Sequence, residues 1–247
     1  MKEPTTMPPR LFVDVDPGAP DEARIEGQAL RHVRALRLES GSEVVAIVGP
    51  GRERRAAIVA LSRSAARLRL GEELPPTEAD PRSPLVLAIA LADLARMDLV
   101  VEKATELGAT GIWGFVAERS QARQVSASRR DRWARIGRAA CEQCGRTVPP
   151  EIEAPLALRE LLERIGPPRR AVLLDPGGPR SLPPLSLDES EPVVVVGPEG
   201  GLTAPEREGL RVRGAEVLSL GPRVLRFETA AIAGLTWVSW HRHRPSA

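Results

Sequence analysis

A run of four valines, Val193–Val196, leads directly into the loop Gly-Pro-Glu-Gly-Gly at positions 197–201. Consecutive β-branched residues are typical of a strand that is buried on both faces, as in a parallel sheet. Thr203 and Glu206 then have the spacing of a capping box, with Pro205 near the start of a helix. Because ligands of open α/β sheets bind where strands end and helices begin, we predict a ligand-binding loop here.

A second strand ends in a similar loop. Residues 217–220 form an apolar run that stops at a Gly-Pro pair, and a nearly all-apolar helix follows from about Thr229. We expect the C-terminal ends of the two strands to lie side by side and to form one pocket. Arg226 and Glu228 are charged residues that lie between this strand and its helix, so they are candidates for chemistry. Three alternatives remain: the loops are turns without a ligand, the two charged residues only pair with each other, or Glu228 only favours the N-terminus of the helix electrostatically.

Neither a common nucleotide motif nor a metal motif is present. The loop at 197–201 is not followed by the Gly-Lys-Ser/Thr of a P-loop, and it does not match the dinucleotide pattern GxGxxG. Cys141 and Cys144 form a single CxxC, whereas a zinc site needs about four ligands. The chain has three histidines and no second CxxC. We therefore predict no metal site, and we favour a packing role for the cysteines over a redox role.

Residues 75–84, which contain four prolines, separate two patterns and are predicted to be a linker. Before them, short apolar stretches and one helical stretch predict a small β-barrel over residues 1–74. The stretches cover 10–15, 43–48, 56–61 and 66–70, and the helix covers 27–36. After them, over residues 85–247, strands alternate with helices, which predicts an α/β domain with a parallel sheet. These strands cover 85–91, 111–116, 171–174, 193–196 and 217–220.

The positive charge is concentrated in two segments, although the net charge is only +2. Residues 28–69 hold nine arginines against three acidic residues, and residues 119–146 hold eight against two. Such segments suit a polyanion such as RNA, and two solvated surfaces would give the same pattern. Aromatic residues make up 3% of the chain and tyrosine is absent. RNA binding through an aromatic stacking platform is therefore not expected.

The sequence predicts a cytoplasmic protein without a membrane segment. The first ten residues contain no apolar segment of the kind found in secretory signals. The longest apolar run, at 85–92, is too short to span a bilayer.

Several strings resemble, in order, those of the SPOUT superfamily of knotted methyltransferases. The most specific are GPEGG at 197–201 and LGPRVLRFETA at 220–230. KATELGA at 103–109, ERSQ at 118–121 and CEQCGR at 141–146 precede them. The segment from His32 to Leu38 resembles a PUA-like RNA-binding domain. Within the superfamily, the resemblance is to bacterial enzymes that methylate N3 of a uridine in 16S ribosomal RNA, and it covers most of the chain.

The resemblance implies an α/β fold in which a C-terminal SPOUT parallel-sheet domain with a trefoil knot follows a PUA-like β-barrel. It also implies S-adenosylmethionine as cofactor, a homodimer packed through the knot region and the last helix, and 16S RNA or the assembled small subunit as partner. The residues expected to bind the cofactor are Leu174, Gly197, Glu199, Gly200, Gly201, Leu220, Gly221, Pro222, Val224 and Leu225. The residues expected to bind RNA are Arg10, Arg31, His32, Arg34, Arg37, Arg119 and Arg146.

Arg226 and Glu228 are the candidate catalytic residues. Arg226 is expected to stabilise negative charge on the base or to bind its phosphate, and Glu228 to act as the base or as an orienting group. Asp93 and Leu94 stand where relatives usually carry a basic residue and glycine, and Phe227 replaces a threonine. The alternatives are another SPOUT enzyme that methylates a ribose 2′-hydroxyl, and a non-catalytic RNA-binding assembly protein.

Overall fold

The computed structural model describes residues 8–180 and 191–242. These residues divide into two compact units. The first contains the residues up to Asp80 together with Cys141–Val148, and the second contains Pro81–Ala140 and the residues from Pro149 onward. The segment Cys141–Val148 thus groups with the first unit, whereas the sequence pattern places it inside residues 85–247.

The first unit is a six-stranded sheet with one helix. Its elements are β1 (Arg10–Phe12), β2 (Asp14–Asp16), β3 (Ala19–Glu26), α1 (Gly27–Ala35), β4 (Glu43–Gly49), β5 (Arg52–Leu61) and β6 (Ala65–Glu73). The strand order is β1-β4-β5-β6-β3-β2, with β1 parallel to β4 and the other neighbours antiparallel. Strand β3 is absent from the sequence prediction because only Ala23 and Ile25 of its eight residues are buried.

The sheet of the first unit must curl strongly. Strands β1 and β2 occupy its opposite edges, yet only Val13 separates them along the chain. The two edges therefore lie next to each other, as in the predicted small β-barrel. Leu30 and Val33 of α1 join the buried residues of the strands, Leu68 and Ile58 among them. This half of the fold prediction is confirmed.

The second unit is an α/β domain. Its elements are β7 (Val86–Ala90), α2 (Met97–Glu106), β8 (Gly111–Val116), α3 (Ala127–Cys144, whose last residues group with the first unit), β9 (Glu151–Ala157), α4 (Leu158–Arg164), β10 (Arg169–Leu174), β11 (Glu191–Val196), α5 (Ala204–Val212), β12 (Glu216–Leu218) and α6 (Phe227–Arg242). All strand pairs are parallel, in the order β12-β10-β11-β7-β8-β9. The predicted parallel sheet is confirmed.

Two features of this sheet differ from the sequence prediction. Strand β9 and helix α4 were missed, because β9 contains Pro155 and lacks an apolar run. Proline is tolerated there because β9 is the edge strand. The strands predicted at 193–196 and 217–220 do not lie side by side, because β10 lies between them and pairs with both. Residues that follow both strands nevertheless line one cleft, as predicted.

Helix α6 packs against β11, β7 and α2. Its buried face carries Phe227, Ala231, Leu235 and Val238. Gly234 lies on the same face, where a Cβ atom would come within 2.5 Å of Leu174 Cδ1. The helix therefore approaches β10 and β11 more closely than a side chain would allow. The knot stays a prediction. Among the described helices, none is long and apolar enough to cross a membrane.

Candidate cofactor and RNA site

A cleft lies at the C-terminal edge of the parallel sheet, where β10, β11 and β12 end. Of the residues predicted to bind the cofactor, the cleft is lined by Leu174, Gly197, Glu199, Gly201, Leu220, Gly221, Val224 and Leu225. Gly200 and Pro222 belong to the same loops but are not among the lining residues. The sequence missed the contributions of Asp175, Pro176, Leu202, Ser219, Arg223, Phe227 and Ala230. Three strand ends therefore build the site: those of β11 and β12, which carry the Gly-Pro loops, and that of β10, where the resemblance places Leu174.

Glycines give the two loops their shape. Gly201 has a φ of +69° and donates its N–H to Pro198 O at 2.8 Å, and Gly221 has a φ of +119°. Both values lie in the region that favours glycine. The buried hydroxyl of Ser219 donates to Gly221 O at 3.1 Å, which ties the second loop to the end of β12. Main-chain groups are thus brought close to the cleft without intervening side chains.

The lining residues suit a ligand with a flat apolar part and polar groups. Leu174, Leu202, Leu225 and Phe227 supply apolar walls, and the glycine loops supply main-chain donors and acceptors. Asp175 is the acidic group at the end of β10, with 20% of its side chain exposed. Such a combination of apolar walls and a few convergent polar groups is typical of small-molecule sites. An adenine ring with an attached amino-acid chain fits this donor and acceptor set.

Buried Glu206 holds two loops of this edge together. Its Oε1 accepts the Glu118 N–H at 2.7 Å, and its Oε2 accepts the Thr203 N–H at 2.8 Å and the Thr203 hydroxyl at 3.0 Å. The capping box predicted from Thr203 and Glu206 is therefore present. Burial by itself raises the pKa of Glu206, but these hydrogen bonds and nearby Arg119 together hold it below its ordinary value of 4.5.

Glu206→Gln should lower the free energy of unfolding by about 1.5–3 kcal/mol at neutral pH, the range for hydrogen bonds to a charged group. Because the folded-state pKa is lowered, the wild-type advantage is present above pH 4.5 and is lost as the pH falls through the folded-state value. Denaturant unfolding at several pH values measures this difference. Glu208→Gln, on the exposed face of the same helix, is the control and should leave stability nearly unchanged; an equal loss in both variants would contradict the role given to Glu206.

The two candidate catalytic residues do not pair with each other. Arg226 is exposed at the end of the second loop, just before α6. Glu228 lies in the first turn of α6, and its Oε1 accepts a hydrogen bond from Arg96 Nη1 at 2.6 Å. Its Oε2 is buried without a hydrogen-bond partner among the described residues. The alternative in which Glu228 binds Arg226 is therefore wrong, and Arg226 remains next to the cleft.

Arg96 was not predicted as a site residue from the sequence. It lies at the N-terminal end of α2, after the loop that follows β7. Its Nε is 3.4 Å from Asp93 Oδ2, and 40% of its side chain is exposed. The Glu228 carboxylate, mainly through the hydrogen bond and then through its charge, raises the pKa of Arg96. The two residues are 132 positions apart, so no local pattern could have paired them.

A family model for the RNA methyltransferase domain matches residues 79–239. Ribosomal RNA small subunit methyltransferase E of Aquifex aeolicus is 30% identical over 84% of this chain and 89% of its own length. The enzyme of the same name from Mycobacterium tuberculosis is 30% identical over 91% and 88%. The chain belongs to the ribosomal RNA small subunit methyltransferase E family.

Two solved methyltransferase structures agree with the fold of this chain. The Neisseria gonorrhoeae protein bound to S-adenosylmethionine has a TM-score of 0.85 and 26% identity, covering 94% of this chain and 97% of its own. A methyltransferase of Legionella pneumophila in complex with the same cofactor has a TM-score of 0.84 and 28% identity, covering 95% and 98%.

The basic residues of α1 and the turn after it that were predicted to bind RNA differ in how far they are engaged within the protein. Arg31 and Arg37 are exposed on and just after α1. Arg34 is exposed but donates from Nη2 to the carbonyls of residues 62 and 63, at 2.9 and 2.7 Å. His32 Nε2 lies 3.6 Å from Glu142 Oε2. Arg31 and Arg37 are thus the members of this set best placed to contact a phosphate backbone.

Three of the arginines predicted to bind RNA are engaged by or buried in the protein itself. Arg10 Nε donates to Oε1 of buried Glu53 at 2.9 Å. Arg119 Nη1 donates to Gly200 O at 2.8 Å, so it supports the first cleft loop. Arg146 is only 1% exposed. A guanidinium that is buried to this extent cannot reach a phosphate, and the prediction for Arg146 is therefore wrong.

The two cysteines of the CxxC pair differ in burial. Both cysteines are free, and Cys141 is buried. Burial raises the pKa of the Cys141 thiol to about 12. A thiol that stays protonated is a poor nucleophile and a poor metal ligand. Among residues 8–180 and 191–242, no group of three or more His, Cys, Asp or Glu side chains is arranged to hold a metal ion.

Proposed function

We propose that this chain transfers the methyl group of S-adenosylmethionine to N3 of a uridine in 16S ribosomal RNA. The observation that carries the proposal is the glycine-lined cleft at three strand ends, in a family member whose fold matches a relative bound to S-adenosylmethionine at a TM-score of 0.85. Bound in this cleft, S-adenosylmethionine supplies an activated methyl group. The chain itself has to position the uracil ring and to favour loss of its N3 proton.

The residues of the cleft divide this work between them. The main chain of Gly197–Gly201 and of the loop from Leu220 to Leu225 holds the cofactor, with Leu174 and Leu202 against its apolar part. Arg226 lies exposed at the end of the second loop. Its guanidinium stabilises the negative charge that develops on the base, or binds the phosphate of the target nucleotide. Alignment of the reacting atoms supplies the rest of the acceleration.

Binding of the RNA rests on phosphate contacts by the exposed arginines of the first unit. Such contacts fix the register of the RNA and add affinity without choosing a sequence. We expect the logarithm of the RNA affinity to fall linearly with the logarithm of salt concentration. Replacing Arg31 and Arg37 with alanine should reduce the steepness of this line by about 0.7–0.9 for each phosphate that is no longer neutralised.

Fluorescence anisotropy with a labelled small-subunit RNA fragment at several salt concentrations measures this slope. Arg213→Ala is the matched control, because Arg213 is also exposed but lies after α5 in the second unit. A slope that stays at the wild-type value in the double variant would remove α1 from the RNA-binding surface.

A homodimer packed through α6 is part of the proposal. Outside its buried face, α6 carries further apolar residues: Ile232 and Ala233, which are half-buried, and Trp240, which is 67% exposed. Apolar residues beyond the core-facing stripe of a helix favour a second packing partner. Sedimentation equilibrium tests this directly, since Trp240→Glu should shift the protein toward the monomer.

Calorimetric titration with S-adenosylmethionine tests the cofactor assignment. Binding with one site per chain is the expected result. An absence of binding would favour the non-catalytic assembly protein. Supplying free 16S RNA and assembled small subunits in parallel then identifies the substrate, because the form that accepts the methyl group carries the accessible uridine. A methyl group found on a ribose 2′-hydroxyl would favour the other SPOUT reaction.

A further inference from the structure

We infer that Arg96 is a further catalytic residue, which contacts the target nucleotide, and that Glu228 is a positioning residue that holds Arg96 in place. The inference rests on the proposed methyl transfer to a uracil nitrogen. It rests on the geometry of the Arg96–Glu228 ion pair and on the different exposure of its two members. Of the two roles that the sequence left open for Glu228, base or orienting group, the inference selects the second.

The ion pair lies beside the cofactor cleft. Phe227 lines the cleft, and the next residue of α6, Glu228, binds Arg96. Arg96 follows β7, and β7 is the neighbour of β11, whose loop forms one side of the cleft. In open parallel sheets, the loops after neighbouring strands share one edge. The pair therefore joins the loop after β7 to the start of α6 at the edge where the cofactor site lies.

The exposure of the two side chains decides which of them faces the substrate. The Glu228 side chain is 12% exposed, whereas the Arg96 side chain is 40% exposed. Glu228 Oε1 is engaged by Arg96, and its Oε2 is buried. A nucleotide can reach the guanidinium of Arg96 but not a buried carboxylate oxygen. The carboxylate thus fixes a cation whose side chain keeps 40% of its surface exposed.

Asp93 adds a second support to Arg96. Asp93 Oδ2 is 3.4 Å from Arg96 Nε, and Asp93 O accepts the N–H of Arg96 at 3.1 Å. Asp93 Oδ1 also accepts the Ala95 N–H at 2.8 Å, which shapes the loop. On the α3 side, Arg129 contacts Leu94 O at 3.4 Å and pairs with Asp98. Asp93, at a position where relatives carry a basic residue, therefore helps to orient the arginine.

A fixed guanidinium at this place suits the chemistry of the proposed reaction. The uracil N3 proton passes to solvent or to a base, and the electron pair left on nitrogen forms the new bond to the methyl carbon. The methyl–sulfur bond breaks, and sulfur keeps its electron pair. Negative charge accumulates on the uracil ring before the bond forms, and a preorganised cation stabilises it at little reorganisation cost.

The test compares Arg96→Ala, Arg96→Lys and Glu228→Gln by single-turnover methylation of small-subunit RNA as a function of pH. Arg96→Ala should lower the rate by about 100-fold, as expected for loss of one anion-stabilising group. It should also move the rising limb of the pH–rate profile upward by about one unit, because a nearby cation favours the anionic uracil. Arg96→Lys should recover part of the rate. Affinity for S-adenosylmethionine by calorimetry should remain close to wild type in all three variants. The thermal midpoint should fall in Arg96→Ala, because the largely buried Glu228 carboxylate loses its partner, and Arg96→Lys should recover most of it.

Glu228→Gln separates the two roles of the pair. An amide oxygen still accepts a hydrogen bond from Arg96, so the variant should stay within about tenfold of wild type if Glu228 only positions Arg96. A loss of 100-fold or more together with loss of the rising limb would make Glu228 the base and would overturn the inference. A wild-type rate and pH profile in Arg96→Ala would overturn it as well. A wild-type enzyme that methylates no RNA would instead contradict the proposed function itself.

Discussion

Arg226→Ala is expected to lower the rate of RNA methylation by about 100- to 1,000-fold, the range found when one preorganised stabilising group is removed. Arg226 is exposed at the end of the loop that lines the cofactor cleft, so its removal leaves no cavity and no buried unpaired charge. The free energy of unfolding and the affinity for S-adenosylmethionine should therefore stay close to wild type. The effect should appear in kcat when Arg226 acts on the base, and in the KM for RNA when it binds a phosphate.

Arg213→Ala is the matched control for this variant, because Arg213 is also an exposed arginine of the second unit but lies after α5. Steady-state methylation assays on both variants, with RNA and cofactor varied separately, give kcat and the KM for each substrate. An Arg226→Ala enzyme with wild-type kcat and KM would remove Arg226 from the mechanism and leave Arg96 as the cation of the site.

Gly234→Ala should weaken S-adenosylmethionine binding by about tenfold or more, which corresponds to about 1.4 kcal/mol. The added Cβ would lie 2.5 Å from Leu174 Cδ1 and 3.0 Å from Cγ1 of fully buried Val194. Val194 is rigid because it is β-branched, so Leu174 has to move, and Leu174 lines the cleft. Overpacking costs about 1–3 kcal/mol of stability, which the better helix propensity of alanine offsets by about 1 kcal/mol.

Gly137→Ala provides the matched control, because Gly137 is also a glycine on the buried side of a helix, α3. There an added Cβ would meet Pro150 Cδ at 3.5 Å, an ordinary van der Waals distance. This variant should be as stable as wild type or more stable by up to about 1 kcal/mol, with unchanged cofactor affinity. Calorimetry and thermal unfolding on both variants check the contrast. If Gly234→Ala, like Gly137→Ala, kept the wild-type cofactor affinity and did not lower the stability, the close approach of α6 would be contradicted.

The sequence was sufficient to predict the elements that carry the cofactor cleft. The four valines and the glycine loop after them identified β11 and its binding loop, and Thr203 with Glu206 marked the start of α5. These features are local: a strand, a turn and a cap are all decided by residues a few positions apart. For the same reason, β8 was predicted with the bounds that the structure has, Gly111–Val116.

Features that depend on long-range contacts could not be predicted from the local sequence pattern. Nothing local shows that β10 inserts between β11 and β12, because strand order is decided by packing across the whole sheet. The Arg96–Glu228 pair joins two elements 132 residues apart. The sequence also does not show that Arg31 is exposed and Arg146 is buried. The burial of each arginine is decided by residues that are distant in the chain.

The central claim, methyl transfer to a uracil nitrogen of small-subunit RNA, is tested most directly by nucleoside analysis. The purified protein is incubated with S-adenosylmethionine and with small subunits or 16S RNA that have not been methylated, and the digested RNA is examined by mass spectrometry. The expected product is one 3-methyluridine per RNA molecule, absent when Arg226→Ala replaces the wild-type enzyme over the same time. RNA without any added methyl group, or with a methyl group on a ribose, would contradict the claim.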